Sequence, residues 1–226
     1  MRKNLLIIVL IFLCLAGCAG FKADGNSTGY MRIENGDLEG KVLSYKLGDR
    51  GPGGGIIFYV SNEGFKIEGY GKEGDIGYFA PYTAHYLEAA PKNSRKAQWG
   101  AYRTSISGVT TFSSPSDELA SRIGNGRKDT LTIAAHLGTK ETGRAAQIAA
   151  AANFGDLNDW FLPSAGELNL LYRQRNLKGI GILSKWYWSS SHYCYNNAWY
   201  QYFSSSGFHG SLPKDTTNSV RAVRAF

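Results

Sequence analysis

An apolar run from Leu5 to Leu15, led by Arg2 and Lys3 and closed by Leu15-Ala16-Gly17-Cys18, settles where this chain must fold before any other residue is considered. The charge, length and small-residue ending are those of a secretory signal. The run stops at Gly17 and is followed by polar sequence with Lys22 and Asp24, short of the roughly 20 apolar residues a spanning helix needs. Residues 1–17 are therefore expected to target the chain and to take no part in the fold.

The order Leu-Ala-Gly-Cys resembles the bacterial lipobox, in which the cysteine is acylated on sulfur and the peptide is cut before it. Cys14 lies inside the apolar run with no small pair ahead of it and lacks that context. Two or three acyl chains on Cys18, at about 0.8 kcal/mol per buried CH₂, would anchor the protein durably to a membrane. A lipid-bearing Cys18 leaves Cys194 alone, so no internal disulfide framework exists and the fold must be held by its buried core. The residues beyond the linker suffice for one ordinary domain.

Loss of Arg2 and Lys3 lowers the formal charge from +7 to about +5, with the charges dispersed. That pattern describes a solvated surface and gives no footprint for nucleic acid. Residues 18–44 are rich in Gly, Asn and charge without a sustained period, and suit a flexible linker. A domain is expected over 45–226.

That domain opens on Gly51-Pro52-Gly53-Gly54-Gly55 followed by Ile56-Ile57-Phe58-Tyr59-Val60. Phosphate-binding glycine loops lead into a helix; here a β-branched and aromatic strand follows, which favours close backbone packing. A short strand is expected within Gly77–Ala90. Helices are expected from Ser114-Pro115-Ser116-Asp117 towards Gly124, over Asp129–Leu137 and over Arg144–Asn153. A fourth should follow the capping box Ser164-Ala165-Gly166-Glu167 and run to about Arg175. Glu167 is assigned to that cap and to no catalysis.

Strands are then expected at Trp186–Ser191, Ala198–Phe203 and Ser219–Phe226. Alternation puts Trp199, Gln201 and Phe203 on one face and Tyr200 and Tyr202 on the other. Trp188, Trp199 and Phe203 are expected in the core, with Val220 and Val223 contributing.

The segments Gly48–Tyr59, Tyr86–Pro91, Trp160–Leu168, Tyr187–Ser191 and Val220–Arg224 together resemble the DUF1566 family, also named for the C-terminal domain of the Legionella collagen-like protein. The resemblance implies an α+β, C-type-lectin-like fold near the formylglycine-generating-enzyme subgroup, with small twisted antiparallel sheets and two or more packed helices. It also implies recognition of proteins or glycans more often than chemistry. The formylglycine-generating reaction needs a pair of copper-holding cysteines, and the domain has only Cys194. Glu-Pro-Asn, Gln-Pro-Asp and Trp-Asn-Asp, through which calcium-dependent lectins read sugars, do not occur. Asn158-Asp159 supplies two oxygen ligands where calcium takes six to eight, so Asp159 is expected in a turn or cap. His85, His136, His192 and His209 lack ligand spacing. No catalytic residue, metal or cofactor is assigned.

Ser189–Ser211 is crowded with Tyr, Ser, Asn, His and Gly and contains no Lys, Arg, Asp or Glu. Tyrosine offers large rigid contact area, and Ser, Gly and Asn offer adaptable hydrogen bonds, as in antibody loops. The segment is similar to treponemal variable lipoproteins, in which a diversity-generating retroelement rewrites adenines of an Asn-type codon. Such rewriting never yields Lys, Glu, Gln, Trp or Met, and in this window only Trp199 and Gln201 belong to that set. Ligand-facing positions are expected to be His192, Tyr193, Tyr195, Asn196, Asn197, Tyr200, Tyr202, Phe208 and His209. The sequence thus predicts a cell-envelope lipoprotein, at the outer membrane or cell surface, tethered through Cys18 and binding a protein or glycan. The alternatives are a divergent formylglycine-generating-type enzyme and a structural envelope lipoprotein without a discrete ligand.

Overall fold

The computed structural model describes residues 44–181 and 185–226, together with the backbone of two short strands upstream. Cys18 and the signal segment lie outside the described residues. Contacts divide the chain into units Met1–Ser44 and Tyr45–Phe226. In the first, β1 (Arg32–Glu34) pairs antiparallel with β2 (Asp37–Glu39), so the stretch read as a linker contains a small hairpin. Among the described residues no helix is long and apolar enough to cross a membrane.

The second unit is an α+β domain with two sheets. The smaller has the order β10-β4-β3, formed by Val223–Ala225, Tyr82–Ala89 and Ile56–Ile67, all antiparallel. The larger has the order β5-β9-β6-β7-β8, formed by Ser94–Gln98, Thr217–Val220, Trp186–His192, Asn197–Tyr202 and His209–Pro213. Its pairing is antiparallel except between β6 and β9.

The final segment, expected as one strand, is therefore two. The chain leaves the larger sheet at Val220 and joins the smaller at Val223, passing through Arg221 and Ala222. Strands β5 and β8 were not foreseen, because Ser94–Gln98 and His209–Pro213 are too polar or too short in apolar content to signal pairing alone.

Four helices lie between the strand groups: α1 (Glu118–Ser121), α2 (Gly126–Leu137), α3 (Ala145–Ala150) and α4 (Ala165–Arg173). The N-cap of α1 is Asp117, whose carboxylate accepts from Leu119 N–H, in place of the expected Ser114. Helix α2 begins three residues earlier than expected. Its own N-cap, Asn125, makes no side-chain cap bond; Glu167 of α4 instead accepts from the Gly124 N–H at 2.8 Å. The same carboxylate accepts from the Ser164 N–H at 2.8 Å and closes the capping box of α4. One buried glutamate thus satisfies donors at two helix starts, which is why it tolerates full burial.

Two large apolar clusters and a small third one of Phe112, Ala120, Ala165 and Trp199 form the core. One joins Ile133, Leu137 and the alanines of α3 to Trp99, Trp188, Ala198 and Val220. The other joins Leu168 and Leu171 of α4 to Phe58, Leu87, Phe161, Tyr187, Phe203 and Val223. Trp188, Trp199, Phe203, Val220 and Val223 are all buried, as the alternation predicted. The indoles of Trp99, Trp188 and Trp199 each donate to a backbone carbonyl at 2.9–3.0 Å, which offsets the cost of burying their N–H groups.

Segments far apart in sequence that carry the family resemblance converge on one buried charge network. Glu88 is fully buried; Gly53 N–H and Gly55 N–H donate to its two oxygens at 3.1 and 2.7 Å. Arg224 donates to both oxygens of Asp159 at 2.8 and 2.9 Å and reaches Glu88 at 3.4 Å. Asp159 is therefore an ion-pair acceptor and no mere turn residue. The glycines are required by proximity: a Cβ at Gly53 would strike the Trp160 ring, and one at Gly55 the Ala89 carbonyl. The loop amides that could hold a phosphate already hold the protein's own carboxylate.

Candidate functional site

Strand β7 runs between β6 and β8, and its two faces meet different surroundings. Register pairs Trp186 with Tyr202, Trp188 with Tyr200 and Tyr200 with Gly210, which puts these side chains on one face. Trp199, Gln201 and His209 belong to the other, where Trp199 stacks on Phe112 at 4.6 Å. Trp199 and Gln201 are both buried. Both faces are covered at the centre of the strand, so the expectation of a single core face fails there.

Two nominated positions leave the surface for that reason. His192 is 2% exposed, stacked on Trp99 at 5.8 Å, with Nδ1 3.3 Å from the Thr111 hydroxyl. Burial, and then the charge of Lys214, push its pKa down to about 4. Lys214 is itself fully buried over the Trp99 ring at 4.9 Å and donates to the Ala101 and Thr104 carbonyls. Tyr200 is 8% exposed beneath Trp186, and burial raises its phenol pKa. Neither faces a ligand.

The remaining nominated residues divide into three places. Tyr193, Tyr195, Asn196 and Asn197 sit at the β6–β7 turn. There Tyr195 is well exposed, Tyr193 packs edge-on against Trp199 at 5.3 Å, and Asn197 Nδ2 donates to the Ser211 hydroxyl at 3.3 Å. His209 lies half-buried on the inner face. It donates through Nε2 to Asn169 Oδ1 at 3.2 Å, and Gln201 Nε2 donates to the same oxygen. Burial first, and Arg173 second, lower its pKa. Asn169 and Arg173 also line an open cleft of about 190 Å³ with Tyr59, Ile123 and Leu170.

Tyr202 and Phe208 lie at the opposite end of β7 from the turn, and there the structure adds a residue that the sequence reading assigned only to a strand. Trp186 is 43% exposed, stacked on Tyr200 at 5.4 Å and 27°, and met nearly at a right angle by Tyr202 at 6.0 Å. Phe208, 58% exposed, approaches Tyr200 from β8 at 6.4 Å. The result is a platform of Trp186, Tyr202 and Phe208 seated on Tyr200. The signal that could have found Trp186 is its position at the first residue of β6, where the sheet ends and cover runs out.

Cys194 is half-buried and is the one free cysteine among the described residues. Among those residues no group of three His, Cys, Asp or Glu is placed to hold a metal ion.

No family model matches the chain, and no curated protein matches it. Among solved structures, the fold is similar to that of a fimbrial protein from Bacteroides ovatus, with a TM-score of 0.54 and 20% identity. The likeness covers 83% of this chain and 47% of the other, so this chain spans about half the length of that protein. At that identity the comparison speaks to the fold alone.

Proposed function

We propose that this chain is a lipid-anchored protein of the bacterial cell envelope, on the outer membrane or cell surface, whose C-terminal face binds a protein or glycan without catalysis. The observation that carries this reading is the exposed aromatic pair Trp186 and Phe208, both packed on Tyr200, in and beside a segment without a single formal charge. Exposed large apolar rings grouped on one surface mark interaction sites. The lipobox-like Leu15-Ala16-Gly17-Cys18 supplies the tether.

The C-type-lectin-like, DUF1566-type assignment belongs to the same proposal. It is supported by the pairing of the last strand, β10, beside the first long strands of the domain, and by the meeting of the glycine loop, Glu88, Trp160 and Arg224, which come from four of the resemblance-bearing segments. Retroelement diversification is supported by the burial of Trp199 and Gln201, the two residues that adenine rewriting cannot produce. A near-identical downstream repeat differing mainly at adenines would establish it, and a genome without one would leave a fixed binding surface.

The test has two arms. Cys18→Ser should abolish incorporation of a fatty-acid analogue and release the protein from the membrane fraction. Tyr202→Ala with Phe208→Ser should abolish binding on arrays of envelope proteins and glycans at an unchanged unfolding midpoint. Retained binding in that double variant, or turnover of a cysteine-containing sulfatase peptide with copper, would overturn the reading.

A further inference from the structure

We propose that the platform of Trp186, Tyr202 and Phe208 is a subsite for a neutral glycan, with one pyranose ring stacked on the Trp186 indole. The inference deepens the binding function proposed above and rests on it.

Three features select this occupant. The first is rigidity. Trp186 is held from below by Tyr200 and from the side by Tyr202, so its orientation is fixed before any ligand arrives. Phe208 is placed by the absence of a side chain at Gly210, where a Cβ would lie 2.7 Å from the Phe208 ring and 3.0 Å from the Tyr200 hydroxyl. A rigid flat ring suits the flat C–H face of a sugar.

The second is area. An aromatic side chain presents about 150–250 Å² in all. With Trp186 at 43% and Phe208 at 58% exposure, and Tyr202 half-buried, the platform offers roughly 300 Å². A stable protein partner needs about 800 Å² on each side. The platform matches one to three sugar rings and falls well short of a protein footprint.

The third is polarity. Between Phe203 and Phe208 the loop is Ser204-Ser205-Ser206-Gly207, which carries hydroxyls and no charge. It is fixed at its base, because the Tyr172 hydroxyl contacts the Ser204 and Ser205 carbonyls at 2.9 and 3.2 Å and the Ser204 and Ser206 hydroxyls bond to each other at 2.8 Å. Ser205 and Ser206 are exposed. Uncharged hydroxyls beside aromatic faces match sugar hydroxyls around an apolar ring face, and supply none of the cations that a phosphate or carboxylate group requires.

The experiment uses the full chain in detergent on an array of neutral glucans, galactans, mannans and chitooligosaccharides, with sialylated and uronic-acid glycans and envelope proteins as separate arms. At least one neutral glycan should bind, and calorimetry should show affinity falling by about tenfold or more in Trp186→Ala. Trp186→Phe should restore it to within about threefold, since the stacking face is kept. Binding of acidic glycans alone, or neutral-glycan binding unchanged in Trp186→Ala, would overturn the proposal. If only proteins bind, and binding is lost in Tyr202→Ala with Phe208→Ser, the glycan inference falls while the binding function stands. If those variants change no binding in any arm, both fall.

Discussion

Replacement of Asp129 by Asn should make the protein more stable at pH 8 and leave it nearly unchanged at pH 5. Asp129 lies in the first turn of α2, fully buried; Oδ1 accepts from the Thr110 N–H at 3.1 Å and Oδ2 has no hydrogen-bond partner. Burial pushes its pKa from 3.8 up to about 7 against the lowering effect of the Thr110 bonds. A raised acid pKa means that the folded state holds the proton more tightly than the unfolded chain. The associated stability is fully present below pH 3.8 and is lost as pH rises through about 7. A shift of some three units corresponds to roughly 4 kcal/mol lost by pH 8, at about 1.4 kcal/mol per unit. Asparagine keeps the acceptor and cannot ionise, but puts an unpartnered amide N–H where Oδ2 was, at about 1–3 kcal/mol. The variant should therefore gain roughly 1–3 kcal/mol at pH 8, and the two stability curves should meet near pH 5.

The assay is urea unfolding of wild type and Asp129→Asn from pH 5 to 8, with equal slopes required for comparison. The difference between the two curves isolates this residue from His192. That imidazole, lowered to about 4, contributes stability that is present above pH 6.5 and lost as pH falls through 4, the opposite trend. Parallel curves for the two proteins, or a variant equally destabilised at both ends of the range, would refute the reasoning.

Glu88→Ala should cost about 2–5 kcal/mol, because it leaves the Gly53 and Gly55 amides unsatisfied in the interior while Arg224 keeps Asp159, and the loss should appear as a lower urea midpoint. Gly55→Ala should yield little soluble protein on expression, since the new methyl meets the Ala89 carbonyl across the sheet, whereas Gly54→Ala meets nothing within 4 Å and should lose only what its φ of +75° imposes, about 1 kcal/mol in thermal unfolding. Trp188→Ala, at the centre of the larger cluster, should cost about 3–5 kcal/mol, against less than about 1 kcal/mol for Phe208→Ser at the platform, measured by the same unfolding assay.

Local chemistry was legible wherever it was self-contained. The capping box Ser164–Glu167 and the alanine-rich α3 follow from neighbours a few residues apart, and the burial of Trp188 and Trp199 and the need for glycine in the opening loop follow from residue type. The candidate site was legible in composition: an uncharged aromatic and hydroxyl-rich segment was visible from Ser189 to Ser211, with Tyr195, Tyr202 and Phe208 at or near its surface.

Which members of that segment meet solvent could not be read from spacing. Alternation gives two faces to a strand and says nothing of what covers each. His192 went inward because Trp99, from the strand-end of β5, stacks on it; Tyr200 went under because Trp186 crosses from β6. Helix α2 starts just after Gly124, whose N–H donates to Glu167, a residue distant in sequence. A chain's own pattern fixes propensity and periodicity, which act over a few residues. Cover, register and the partners of buried charges depend on pairs such as Glu88 and Arg224, far apart in sequence and set opposite each other only when β10 pairs with β4.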